Sequence, residues 1–142
     1  MNINTELITF DTGIVLENGE KLDSFDLMVE SYGELNETKT NAILVCHAFS
    51  GNHHASGKNE LKEIGWWNEI IGPNKAIDTN KYYVVCCNNL GGCSGSSGPK
   101  SIDPSTKKPY GSNFPLVTVS DWVNSQKMLM DKLNIPKWHM VL

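Results

Sequence analysis

Three unbroken apolar runs constrain this chain most: Ala42-Ile43-Leu44-Val45-Cys46, Tyr82-Tyr83-Val84-Val85-Cys86-Cys87, and Trp138 to Leu142. A strand with one wet face alternates polar and apolar residues. A continuous apolar run reads instead as a strand covered on both faces, the pattern of a parallel sheet packed between layers. Between the second and third runs the sequence predicts a helix. Thr118-Val119-Ser120-Asp121 has the form of a capping box. Val119, Trp122, Val123, Leu129, Met130 and Leu133 follow a helical stripe, and Asn134 and Pro136 end it. Strand, crossover, strand, helix, strand predicts an α/β fold with parallel pairing and right-handed crossovers.

Ahead of these runs, residues 7–33 alternate short apolar stretches with turn signals. Gly13-Ile14-Val15-Leu16 precedes Glu17-Asn18-Gly19-Glu20, and Asn-Gly marks a hairpin. Phe25 to Glu30 alternates as a sheet strand with one wetter face. An antiparallel N-terminal meander is therefore expected. The crossover from 46 to 82 predicts a helical turn around Glu60 to Ile71, stopped at Gly72-Pro73. The Gly-, Ser- and Pro-rich stretch 91–115, punctuated by Tyr110 and Phe114, reads as an ordered functional loop.

The 142 residues suit one domain, and 39% hydrophobic with 20% charged residues supports an ordinary core. All twelve cationic residues are scattered lysines and the net charge is −4, which argues against a nucleic-acid partner. No apolar run approaches the ~20 residues of a membrane span, and no leader pattern opens the chain; a cytoplasmic protein with no membrane partner is expected. Cys46, Cys86, Cys87 and Cys93 form no C-x-x-C pair, so no metal site is expected. Cys46 and Cys86-Cys87 read as small buried hydrophobes in a reducing compartment.

Gly91-Gly92-Cys93-Ser94-Gly95-Ser96-Ser97-Gly98 follows a buried strand, but its glycines are not spaced G-x-G-x-x-G, and Pro99 replaces a helix start. The dinucleotide fingerprint fails. Around Gly57-Lys58, Asn52 and Asn59 occupy the positions of a Walker glycine and hydroxyl, so the P-loop fails too. His47-Ala48-Phe49-Ser50-Gly51 leaves the first buried strand, at the sheet end where α/β proteins bind ligands. A tight turn there can aim a backbone N–H at a developing oxyanion. On the residues alone, a histidine that caps its own strand is the stronger reading of His47, and His53-His54 reads as a solvated loop pair. The aspartates show no acid/base pairing, with Asp121 the helix-cap partner. Ser94, Ser96 and Ser97 lack a strand-to-helix elbow.

Read in order, Ser31-Tyr32-Gly33-Glu34-Leu35-Asn36, Asn41 to Ala48, Gly65-Trp66-Trp67, Ile71-Gly72-Pro73, Ile77-Asp78-Thr79, Asn88-Asn89-Leu90-Gly91-Gly92-Cys93, Gly95 to Pro99, Pro109-Tyr110-Gly111 and Phe114-Pro115 resemble the homoserine O-acetyltransferase family of α/β-hydrolase-fold acyltransferases. The resemblance covers the chain from about residue 10. It implies the N-terminal part of an α/β-hydrolase core: a mostly parallel sheet with an antiparallel N-terminal meander, incomplete, one partial domain over 1–142 ending before the nucleophile elbow and lid.

The implied activity is acetyl transfer from acetyl-CoA to L-homoserine through an acyl-serine, in methionine biosynthesis, by full-length homodimers without a permanently bound cofactor. Succinyl transfer to homoserine or serine, and ester hydrolysis, are the alternatives. The family's serine, histidine and aspartate fall beyond Leu142, so the 142-residue chain alone is expected to be inactive; a truncated or split-gene product is a further alternative. One catalytic element carries over, the Phe49 backbone N–H of the oxyanion hole, where the family more often has leucine. His47, Ala48, Ser50, Gly51, Asn88, Gly91 and Gly92 are expected near the active-site mouth.

Overall fold

The computed structural model describes residues 1–142. β1 (Ile3–Phe10) leads into a small hairpin of β2 (Ile14–Val15) and β3 (Lys21–Leu22), turned at Asn18-Gly19 as the sequence predicts. β4 (Phe25–Tyr32) then returns along β1, from Phe10 opposite Phe25 to Ile3 opposite Tyr32. Pattern reading recognised only the end of β1. It is a sheet edge on which Ile8 and Phe10 alone are buried, so its first half carries no alternation. β5 (Ala42–Val45), the short parallel pair β6 (Ile71–Gly72) and β7 (Ile77–Asp78), β8 (Tyr83–Cys87), α1 (Val119–Lys132) and β9 (Met140–Val141) complete the chain.

The main sheet runs β1-β4-β8-β5-β9. β4 pairs with β8 antiparallel, whereas β5 pairs with both β8 and β9 parallel. The two buried runs are thus neighbours at the sheet centre. β4 is also interior: Asp26 and Met28 stay half-buried on the expected wetter face, but Glu30, farther along that face, is buried. Successive residues serve opposite faces. Val85 and Cys87 join Leu27, Val29, Phe10, Phe25 and the helix residue Leu129 on one side. Val84 and Cys86 join Tyr32, Ile43, Val45, Ala55 and Ile71 on the other. Each buried Val, Leu, Ile or Phe among them contributes about 1.5–3 kcal/mol.

One local expectation holds in short form and two are corrected. Around Glu60 to Ile71 the chain makes a single helical turn, with Ile71 N–H donating to Trp67 O (3.0 Å). The N–H groups of Trp66 and Trp67 instead reach back to His54 and Ala55, so no longer helix starts there. The third apolar run pairs with β5, but Met140 and Val141 are exposed, because no element within these residues lies over that edge. Cys46 is exposed at the end of β5, while Cys86 and Cys87 are buried as expected.

The helix forms with the predicted cap. Thr118 Oγ1 accepts from Asp121 N–H, and Asp121 Oδ2 accepts from Thr118 N–H (2.9 Å). Asp121 Oδ1 also accepts from Glu17 N–H (2.8 Å), which ties the helix start to the hairpin. Asn134, at φ +54°, ends it. The stripe is rotated from expectation: Val119 and Val123 are exposed, while Asp121, Ser125, Gln126 and Leu129 are buried. The inward face is partly polar because it lies against the loop leaving β8.

Candidate active site

Where β5 ends, the chain makes a tight turn in which Gly51 N–H donates to Ala48 O (2.7 Å). The His47 ring caps this turn. Its Nδ1 lies 2.7 Å from the same Ala48 oxygen, and its Nε2 lies 3.1 Å from Asn89 N. A carbonyl only accepts and a backbone N–H only donates. The contacts therefore assign the neutral ring with its hydrogen on Nδ1. The strand-capping reading of the histidine side chain holds, and the cap reaches across to a second loop.

Phe49 N–H donates to no acceptor of the chain. Its ring is 90% exposed and tilts toward Trp122, with centroids 6.3 Å apart. The bulk of Phe49 therefore lies at the mouth of the site rather than in its floor.

The opposing wall is the loop after β8. Asn88 is buried; its N–H donates to Met28 O, and its carbonyl accepts from Ser96 Oγ. Ser96 Oγ in turn accepts from Met28 N–H, and Ser97 Oγ from Asp26 N–H. These hydroxyls stitch the glycine loop to β4 and are not free to act as nucleophiles. Gly91, at φ +84°, lets the loop reverse so that its N–H meets Ser97 O (2.7 Å). The inward polar face of α1 holds the same loop from behind: Trp122 Nε1–H donates to Leu90 O (2.8 Å), and Gln126 Nε2–H to Asn89 Oδ1 (3.3 Å).

Between these walls lies an open cleft of about 530 Å³. His47, Phe49, Ser50, Gly51, Asn88, Gly91 and Gly92 line it, and Ala48 does not. Gly111, Ser112, Phe114 and Pro115 form the far rim, and Tyr110 packs into the core beneath. Sequence reasoning missed Asn89, Trp122 and Gln126. Polar residues at i and i+4 of a helix packed behind a buried strand were the available signal.

No Asp, Glu or Lys side chain lines the cleft. Among the groups in its wall without a partner are Phe49 N–H and Asn88 Nδ2, the latter buried. Unpaired donors in a concave, uncharged site are what a developing oxyanion or substrate carbonyl requires. Burial pushes the Cys87 thiol up to about 12 and raises that of Cys86 as well, so both are inert packing groups. Desolvation also raises the Cys46 thiol, with Gln126 Oε1 3.9 Å from its sulfur acting in the opposite sense.

His54, expected to be solvated, is buried. Its Nδ1 lies 2.9 Å from Glu30 Oε2 and its Nε2 3.1 Å from Glu63 O. The carboxylate of Glu30, at the buried end of β4, draws the ring in.

Residues 41–141 match the family model described as alpha/beta hydrolase fold. Over 142 residues the chain is 55% identical to a homoserine O-succinyltransferase of Hahella chejuensis, covering 99% of this chain and 37% of that protein. Among solved structures, homoserine O-acetyltransferase from Bacillus anthracis superposes with a TM-score of 0.91 at 36% identity, over 99% of this chain and 39% of that one. Esterase E22 superposes at 0.90 and 38%, over 99% and 40%. The chain thus spans a little over a third of the length of the curated relatives it matches. No helix is long and apolar enough to cross a membrane. With its central β8-β5 parallel pair, the turn at the end of β5 and a family match over most of its length, the chain belongs to the α/β-hydrolase fold family.

Proposed function

We propose that this chain supplies one wall of the active site of an O-acyltransferase that moves an acyl group from a CoA thioester to the hydroxyl of L-homoserine. The observation that carries the reading is the unpaired Phe49 N–H, in a turn at the carboxyl end of β5, facing an uncharged cleft. In the reaction, a serine supplied from outside these residues attacks the thioester carbonyl. Phe49 N–H donates to the oxygen as it gains charge, and CoA leaves as the thiol. The homoserine hydroxyl then attacks the acyl-serine, and the same donor serves the second tetrahedral intermediate. The active enzyme is a homodimer in the cytoplasm, with acyl-CoA and homoserine as its small-molecule partners.

Acetyl and succinyl donors are both compatible with the residues present. The succinyl reading is favoured by the names of the curated relatives at 55% identity, the acetyl reading by the solved acetyltransferase at 36%. No lysine lines the cleft, so a succinyl carboxylate draws its counter-charge from elsewhere in the enzyme.

The test is to supply the complete polypeptide carrying residues 1–142 with acetyl-CoA or succinyl-CoA and L-homoserine, following thiol release and product mass. Formation of O-acylhomoserine with one donor is expected. Thiol release without O-acylhomoserine, or cleavage of simple esters alone, would replace transfer by hydrolysis, the activity named for esterase E22.

A further inference from the structure

The Ala48 carbonyl and the Phe49 N–H are the two ends of one peptide unit. All peptide bonds in the chain are trans, so the two dipoles point in opposite directions. Two donors grip the carbonyl end, His47 Nδ1–H and Gly51 N–H, each at 2.7 Å. The amide end is therefore aimed the other way, toward the side on which Phe49 lines the cleft and Ala48 does not. The other ring nitrogen of His47 is anchored by Asn89 N–H at 3.1 Å. His47 as a residue is 9% exposed.

From this geometry we infer that His47 is a positioning residue. Through the Ala48 carbonyl it sets the direction of the Phe49 N–H, and through Asn89 it fixes that direction relative to the glycine loop across the cleft. The inference rests on the oxyanion role proposed for Phe49. Two further features fit it. A Cβ at Gly51 would lie 3.0 Å from His47 Cβ and 3.2 Å from His47 Nδ1, so glycine there leaves room for the ring. The Asn89 side chain accepts from Gln126 of α1 (3.3 Å), so the residue that anchors the ring is also tied to the helix. Donors gripping the carbonyl oxygen also polarise the peptide unit, which strengthens its N–H as a donor.

The two ring nitrogens have separable jobs, and amide side chains separate them. Asn places an amide N–H near the position of Nδ1, retaining the grip on Ala48 O and losing the anchor to Asn89. Gln reaches the Nε2 position, retaining the anchor and losing the grip. Phe loses both. In the complete enzyme, His47→Phe is expected to lower kcat about 10–100-fold with KM nearly constant, the scale set by misplacing one catalytic group by about 1 Å. His47→Asn restores most of that loss and His47→Gln little of it. A merely structural histidine would give losses that track thermal stability and ignore this order.

A second measurement does not depend on turnover. Long-range 1H–15N spectra of His47 should show a protonated Nδ1 and a bare Nε2, and the Phe49 amide resonance should move in His47→Phe and return in His47→Asn. An Nε2–H ring, a Phe49 amide indifferent to all three variants, or unchanged kcat in His47→Phe overturns the assignment. If the wild-type enzyme transfers no acyl group, the acyl-transfer reading fails by itself, and the spectra still decide whether His47 orients the amide.

Discussion

Two histidine-bearing segments follow β5 within a few residues of each other, and they use similar groups to opposite ends. Around His54, every strong donor closes on an acceptor. Glu30 accepts from Thr5 Oγ1–H (2.9 Å), from Tyr32 O–H (2.5 Å) and from His54 Nδ1–H (2.9 Å). The Tyr32 oxygen accepts from the N–H groups of Ala55 (2.7 Å) and Ser56 (3.0 Å). Around His47 the bonding stops short, leaving Phe49 N–H and Asn88 Nδ2 unpaired beside a cleft. A buried polar network that closes on itself specifies structure, and one that stops short holds a place for a ligand. Stability and chemistry are thus separated over less than ten residues of chain.

The largest effect should come from breaking the closed network. Glu30→Ala leaves Tyr32 O–H and His54 Nδ1–H without their shared acceptor in a buried site, and a loss of about 3–5 kcal/mol is expected. Urea unfolding would read it. Turnover per folded molecule should stay near wild type; a comparable loss of kcat would show that the two segments are not separate.

The converse break is Phe49→Pro. Phe49 is the second residue of the turn closed by Ala48 O and Gly51 N–H, where proline is a favoured residue, so the turn persists while the N–H is deleted. A fall in kcat of about 10²–10³ is expected, with stability changed far less. Steady-state kinetics alongside thermal melting would check this. Unimpaired turnover would remove Phe49 from the site.

Tyr32→Phe sharpens the comparison at smaller scale. It deletes a hydroxyl that donates once and accepts twice, and leaves the ring in its packing place. About 1–3 kcal/mol of stability should be lost. A loss below about 0.5 kcal/mol would mean that water replaces the hydroxyl and that the network is less closed than its geometry implies.

The asymmetry between the segments also decided what was legible in the sequence. The apolar runs of β5 and β8 and the Thr118/Asp121 cap announced themselves, because burial and capping are local patterns. The residues from His47 to Gly51 and from Asn88 to Gly92 were traceable because strand ends are where such folds bind ligands. The Glu30–His54 contact was not legible, since it joins positions 24 apart through a strand whose alternation suggested a wet face. For the same reason α1 was rotated: Val119 and Val123 carried the apolar stripe, but the bonds of Trp122 and Gln126 to the glycine loop set which face turns inward. Long-range polar bonds leave no periodic trace in a sequence.

The smallest effect lies at the boundary between the two segments, where His53 belongs fully to neither. Its Nδ1 is buried without a partner. Desolvation holds its pKa below the usual 6.5, with Glu30 pulling upward and His54 and His47 pushing down. The sign follows from proton counting. With the folded value lowered, the unfolded chain binds more protons in the window between the folded value and 6.5, so stability rises with pH there. The neutral ring is tolerated at and above neutrality, and stability falls as pH drops below 6.5 toward the folded value. Urea midpoints taken between about pH 5 and 8 should decline on the acid side in wild type and decline less steeply in His53→Gln. If the two slopes coincide, the unpaired nitrogen of His53 carries no linkage, and the acid sensitivity of this region belongs to the closed network beside it.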